Sequence, residues 1–230
     1  MRKGLLLFAA AMLLSLASMA QNAETVDVSK ERDGLYNRTF NKTRVEGTVK
    51  NGVKEGNWCE FDVDKNSLLR VIQYHNGKKD GIYLELTENG YVVKKSEFTE
   101  DKLNGTCYTW VANGVMVKKN TYKDDKLDGE QTALYDNGKL QEVAHYKDGT
   151  RDGETTWYGR EGNKRMTINY KRGEFDGEQQ TYYPNGTLKS VKMFKNNVAH
   201  GKCIEYEENG EVKLECTYKD GEIVGKMKKK

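Results

Sequence analysis

The stretch Gly129–Gly153 reads GEQTALYDNGKLQEVAHYKDGTRDG, and the order of its residue types decides the fold. Two runs rich in Thr, Leu, Val and Tyr flank Asn137-Gly138, and a polar group, Lys147-Asp148-Gly149, follows the second run. Asn-Gly between β-prone runs signals a hairpin, because both residues tolerate the positive φ of a tight turn. The stretch therefore predicts strand, turn, strand and polar connection, with a new unit opening at Gly153.

The pattern extends in both directions. Glycine recurs every 24 residues at Gly81, Gly105, Gly129, Gly153, Gly177, Gly201 and Gly225, and Gly56 precedes Gly81 by 25. An irregular earlier unit starts at Gly34. A fixed period of this length marks a repeat architecture. Counting the glycine as position 1, position 10 is Gly90, Gly114, Gly138, Gly162, Gly186 and Gly210, all but Gly162 following an Asn. The expected fold is all-β: an elongated single-sheet meander of stacked 24-residue β-hairpins without helix, about eight units over residues 34–225. Residues 21–33 form an N-terminal extension and residues 226–230 a basic tail outside the sheet.

Three ladders of large residues cross the units. Position 6 is Leu86, Trp110, Leu134, Tyr158, Tyr182 and Tyr206; position 18 is Phe98, Tyr122, Tyr146, Tyr170, Phe194 and Tyr218. Position 12 is Val92, Met116, Leu140, Leu188 and Val212, broken by Lys164. A three-residue loop ending in the Gly of a bulge pairs position 6 with position 12, and Pro184 favours it, since Pro suits the first corner of a type I turn. Carried along the hairpin, that register puts all three ladders on one face. Lys95, Glu97, Lys119, Lys189, Lys213 and Glu215 then fall on the other. It also sets Cys203 and Cys216 on opposite faces, unbonded, whereas a two-residue loop would place them directly opposite one another. Cys59 and Cys107 lie two units apart, about 19 Å by strand spacing, and read as free.

Composition narrows the function classes. The chain has 230 residues with 38 Lys plus Arg against 35 Asp plus Glu, a net charge of +3. That is too small for the electrostatic footprint of a nucleic-acid binder, and no mid-chain apolar run approaches the roughly 20 residues of a membrane span. Residues 1–20 combine Arg2 and Lys3, an apolar run from Leu5 to Leu16, and small Ser18 and Ala20. This order predicts a secretory signal peptide cleaved after Ala20. No Cys stands near that point, so the expectation is a periplasmic or secreted protein and not a lipoprotein.

Catalytic chemistry is not legible. His75, His145 and His200 fall in different parts of their units, without metal-ligand or base-nucleophile spacing. Asp124, Asp125 and Asp128 lack the spacing and distal Glu of a calcium loop and suit turn chemistry instead. No catalytic, cofactor or metal residue is expected, and the protein is expected not to be an enzyme.

The pattern Tyr-x-x-Asn-Gly followed by Tyr-Lys-Asp-Gly-x-x-Asp-Gly resembles the MORN repeat, in particular the bacterial MORN-variant group that includes the YwqK-like antitoxins. The resemblance covers roughly Gly34 to Gly225 and is best over Gly129–Gly149 and Gly177–Gly186. It implies a meander of stacked hairpins used for protein or lipid contact, with no catalytic residues to carry over. YwqK-like members neutralise a toxin in the cytoplasm, from which the signal segment departs. A weaker resemblance is to the aromatic repeats of choline- and glucan-binding surface proteins, but Trp58, Trp110 and Trp157 take different positions in their units.

The leading expectation is a non-enzymatic, exported protein-binding or scaffolding module of the bacterial envelope. Its candidate binding face is Trp110, Tyr122, Tyr146, Tyr158, Tyr170, Tyr182, Tyr206 and Tyr218. The rivals are an antitoxin or immunity protein, and a module contacting a cell-wall glycan or, through the lysine tail, an anionic lipid surface. A nucleic-acid partner is not expected.

Overall fold

A computed structural model describes residues 22–224 and 228–229. The leader expected over residues 1–20 lies outside the described residues. Within them there is one antiparallel sheet of 19 strands and no helix. Strands pair in sequence order from Gly34–Phe40 at one edge, except that Lys102–Leu103 and Gly105–Trp110 both pair with Val92–Thr99, and Glu222–Ile223 and Lys228–Lys229, at the other edge, both pair with Val212–Lys219. The meander expected from the 24-residue period is the fold.

Two kinds of turn alternate, each dictated by its residues. At Asn137-Gly138 the Tyr135 N–H donates to Lys139 O at 2.8 Å and the Gly138 N–H to Tyr135 O at 2.9 Å, with Gly138 at φ 78°. This is the three-residue loop closed by a glycine bulge, and it pairs Leu134 with Leu140, Trp110 with Met116 and Tyr182 with Leu188. The connection between units is tighter. Lys147 pairs with Thr150 around Asp148 (φ 50°) and Gly149 (φ 84°), a two-residue turn with both centres left-handed.

One step inward from the Asn-Gly loop the register changes. Ala133 pairs with Glu142 and Gly129 with Tyr146, leaving Gln141 as the extra residue of a second bulge. Position 1 therefore shares a face with position 18. Position 6, an odd number of residues along the same unbroken strand, points to the opposite face. The expectation that all three ladders line one side is overturned: Tyr122, Tyr146, Tyr170 and Tyr218 occupy one face, here face A, while Trp110, Tyr158, Tyr182 and Tyr206 occupy face B with Lys95, Lys119 and Glu215. Both loop registers that the sequence set against each other hold, one on each side of the bulge.

The same bulge corrects the cysteine reading. Cys203 stands directly across from Cys216, and the two are disulfide-bonded with Cα atoms 5.0 Å apart. Cys59 and Cys107 are free, as expected.

The core lies on face A at the N-terminal end. Trp58 and Ile72 are fully buried, packed with Tyr36, Val45, Val49, Tyr74 and Tyr83. Tyr36 lies tilted against Trp58 with ring centres 5.2 Å apart, and Tyr74 meets Trp58 edge-on at 6.4 Å. Residue 47 must be glycine because a Cβ there would enter the indole of Trp58. A single sheet cannot bury such rings alone. Residues 22–28, expected only as a flanking extension, supply the second layer by laying Ala23, Val26 and Val28 over them. The basic tail also departs from expectation, since Lys228 and Lys229 pair with Glu215 and Leu214 and extend the sheet.

Candidate functional site

The eight aromatic residues singled out by the repeat are all half-buried, four on each face. On face B, Tyr108 and Trp110 stack with ring centres 5.6 Å apart. Tyr135 and Tyr183 each donate a hydroxyl to the backbone of the next unit, at Tyr158 O (2.9 Å) and Tyr206 O (2.8 Å). These tyrosines fasten one hairpin to the next, which is a structural task.

Face A carries the more elaborate arrangement. The Arg151 guanidinium lies 5.6 Å from the ring centre of Tyr146, 5.5 Å from Trp157 and 5.4 Å from Tyr170. It is held by Glu142 Oε1 at 2.5 Å and by Tyr146 Oη at 3.1 Å. Lys192 repeats the theme over Tyr218, at 4.4 Å, and over Phe194, at 5.2 Å. Flat π faces with cations laid across them suit contact with a polypeptide's aromatic, cationic and main-chain groups.

At the N-terminal end the same face is occupied. Lys54 Nζ donates to Ala23 O at 2.5 Å and to Glu24 O at 2.9 Å, while Glu60 Oε1 accepts the Ala23 N–H at 2.5 Å. Tyr74 Oη adds a 3.4 Å contact to Ala23 O, and Lys79 pairs with Glu24 at 3.1 Å. Glu60 is also bound by Arg70 at 2.9 Å, so its buried charge is compensated. Burial pushes the Lys54 ammonium down to about 8, against the pull of Glu24 and Glu60, and holds the Tyr74 and Tyr83 phenols well above their ordinary range. A charged pair thus reads the main chain of a short apolar segment. Nothing in the repeat pattern singled out Lys54 or Glu60: their role exists only because residues 22–28 fold back onto them.

Several other polar residues take structural roles. Position 17, with Gln73 as its counterpart in the 25-residue unit that opens at Gly56, bridges successive units: Gln73 accepts the Ile82 N–H at 2.7 Å, Thr121 donates to Glu130 O at 3.2 Å, His145 to Glu154 O at 2.8 Å and Asn169 to Glu178 O at 3.2 Å. His145, which the sequence shows without metal-ligand or base-nucleophile spacing, belongs to this series. His75 sits 3.1 Å from Glu55, and His200 3.6 Å from Asp220. Asp124 and Asp125 are the two left-handed residues of a connecting turn. Asp125 accepts the Leu103 N–H at 2.8 Å and Asp128 the Asp148 N–H at 3.2 Å. Among the described residues no group of three or more metal-binding side chains converges, and no helix is long and apolar enough to cross a membrane.

The MORN repeat variant family matches the chain over residues 127–148, 175–196 and 199–220. Each match spans one hairpin from connecting turn to connecting turn, with the Asn-Gly loop at its centre. Between the first two matches lies the hairpin whose loop replaces Asn with Glu161 and whose position 12 is Lys164. MORN repeats are in general protein- or lipid-binding modules without enzymatic activity. No curated protein matches the chain.

Proposed function

We propose that this chain is a non-enzymatic, exported module of the bacterial envelope that holds a protein partner on face A beyond the N-terminal plug. The observation that carries the reading is intramolecular: face A of the first hairpins takes up the polypeptide Ala23–Val28, capturing its backbone with Lys54 and Glu60 and its apolar side chains with Trp58 and Tyr74. Farther along, the same face continues as the Tyr146, Tyr170 and Tyr218 column, which no described segment covers. The general use of MORN repeats as binding modules supports the same class. The cross-strand bond between Cys203 and Cys216 supports an oxidising compartment, where such bonds persist.

Two experiments test the reading. Fractionation of cells expressing the tagged full chain, with the mass of the recovered protein, is expected to place a species beginning at Gln21 outside the cytoplasm. Cross-linking capture with that species is expected to return one protein whose yield falls in Tyr146→Ser and Tyr170→Ser and holds in Tyr182→Ser and Tyr206→Ser. Retention on peptidoglycan or anionic vesicles, with no face-A-dependent protein, would replace the protein partner by a glycan or lipid surface.

A further inference from the structure

The strand Gly34–Phe40 is the outermost of the sheet and, among the described residues, pairs only with Thr43–Lys50. Phe40 and Thr43 flank a two-residue turn and exchange hydrogen bonds, so the alternate residues Arg38, Tyr36 and Gly34 also bond inward. Leu35, Asn37 and Thr39 direct their N–H and C=O groups outward, and no described backbone group meets them. All three residues are exposed, Leu35 at 93%.

Natural edge strands are blunted by Pro, by lysines, by bulges or by being very short. Gly34–Phe40 has none of these: it is seven residues long, regular, and charged only at Arg38. The opposite edge is guarded. Its described strands, Glu222–Ile223 and Lys228–Lys229, are only two residues long each, and very short edge strands template little pairing.

The open edge is also complementary to itself. When an antiparallel copy sets Asn37 opposite Asn37, Leu35 meets Thr39 and Thr39 meets Leu35, and every one of these is an outward-bonding pair. The same register sets Tyr36 opposite Arg38, a contact that already exists within one chain at 5.8 Å. We propose that a second copy of this chain docks on Gly34–Phe40 across a twofold axis normal to the sheet at Asn37. Two sheets then join edge to edge, with both plugs and both aromatic columns on one side of a continuous surface. The proposal is independent of what face A binds.

Sedimentation of the mature chain across the micromolar range tests it. The expected result is a monomer–dimer equilibrium with a mass that approaches two chains. Asn37→Pro removes the N–H at the twofold axis, and Asn37→Lys opposes two charges there; each is expected to weaken dimerisation at least about tenfold with an unchanged circular dichroism spectrum. A wild-type chain that stays monomeric throughout the range, or a dimer that survives both substitutions, overturns the assignment.

Discussion

Cys203 and Cys216 face each other across the last complete hairpin, bonded at a Cα separation of 5.0 Å, in the two positions that Tyr83 and Ser96 fill in an earlier unit. In a repeat ribbon each unit is stabilised chiefly by its neighbours, so the ends are the weak places. The N-terminal end is closed by the plug, and the C-terminal end by this bond. Reduction, or the double change Cys203→Ser and Cys216→Ser, is expected to cost about 3 kcal/mol locally, the scale for a closed loop of this size. Amide exchange should accelerate over Val198–Lys219 and stay unchanged over the strands around Trp58. Uniform acceleration would show that the bond stabilises the whole sheet.

Trp58 and Gly47 form a lock between facing strands. Trp58→Ala removes a fully buried ring and is expected to cost about 3–5 kcal/mol. Gly47→Ala forces the indole aside and is expected to cost about 1–3 kcal/mol. Denaturant midpoints measure both. The two losses should fall short of additive, because once the ring is gone the alanine methyl meets little.

Lys54 makes stability depend on pH in a defined direction. Its ammonium titrates at about 8 in the fold against 10.5 in the unfolded chain, so between those values the unfolded state holds the extra proton. Stability therefore rises with pH across that window. The rise ends near pH 10, where Tyr74 and Tyr83, kept protonated by burial, begin to favour the unfolded chain. Denaturant midpoints taken from pH 7.5 to 9.5 are expected to climb in the native sequence and to stay level in Lys54→Met. A native profile that falls over this range contradicts the assignment.

Gly153 shows why position 1 of the repeat is glycine. Its φ is 109°, and an added Cβ would lie 3.2 Å from the Cβ of His145, the side chain that bridges to Glu154 O. Gly153→Ala is expected to cost about 1–3 kcal/mol through backbone strain and loss of that bridge. His145→Ala, which removes only a bridge at the surface, is expected to cost about 1 kcal/mol. Thermal unfolding of the two variants ranks them, and equal losses would place the whole effect in the bridge.

Much of the architecture was readable in the residues themselves. Asn-Gly and Asp-Gly carry their own backbone preferences, and the 24-residue period repeats them, so strands, turns and the order of pairing follow from local chemistry. Pro184 marked the three-residue loop for the same reason. The candidate site was only half readable: the aromatic columns were visible, but their division between faces was not. That division depends on a bulge at Gln141 and its equivalents, positions with no distinguishing residue type, because the extra residue is accommodated by strand pairing.

The sequence by itself determined the all-β repeat, its turns and its free pair Cys59 and Cys107, since each rests on the preferences of a few adjacent residues or on distance along the repeat. Only the tertiary structure decided that Tyr146 and Tyr182 face opposite ways, that Cys203 meets Cys216, and that Ala23–Val28 seal Trp58 beneath Lys54 and Glu60. A one-residue shift in a strand reverses every side chain beyond it. A chain end folding back onto a distant face leaves no period in the sequence to be read.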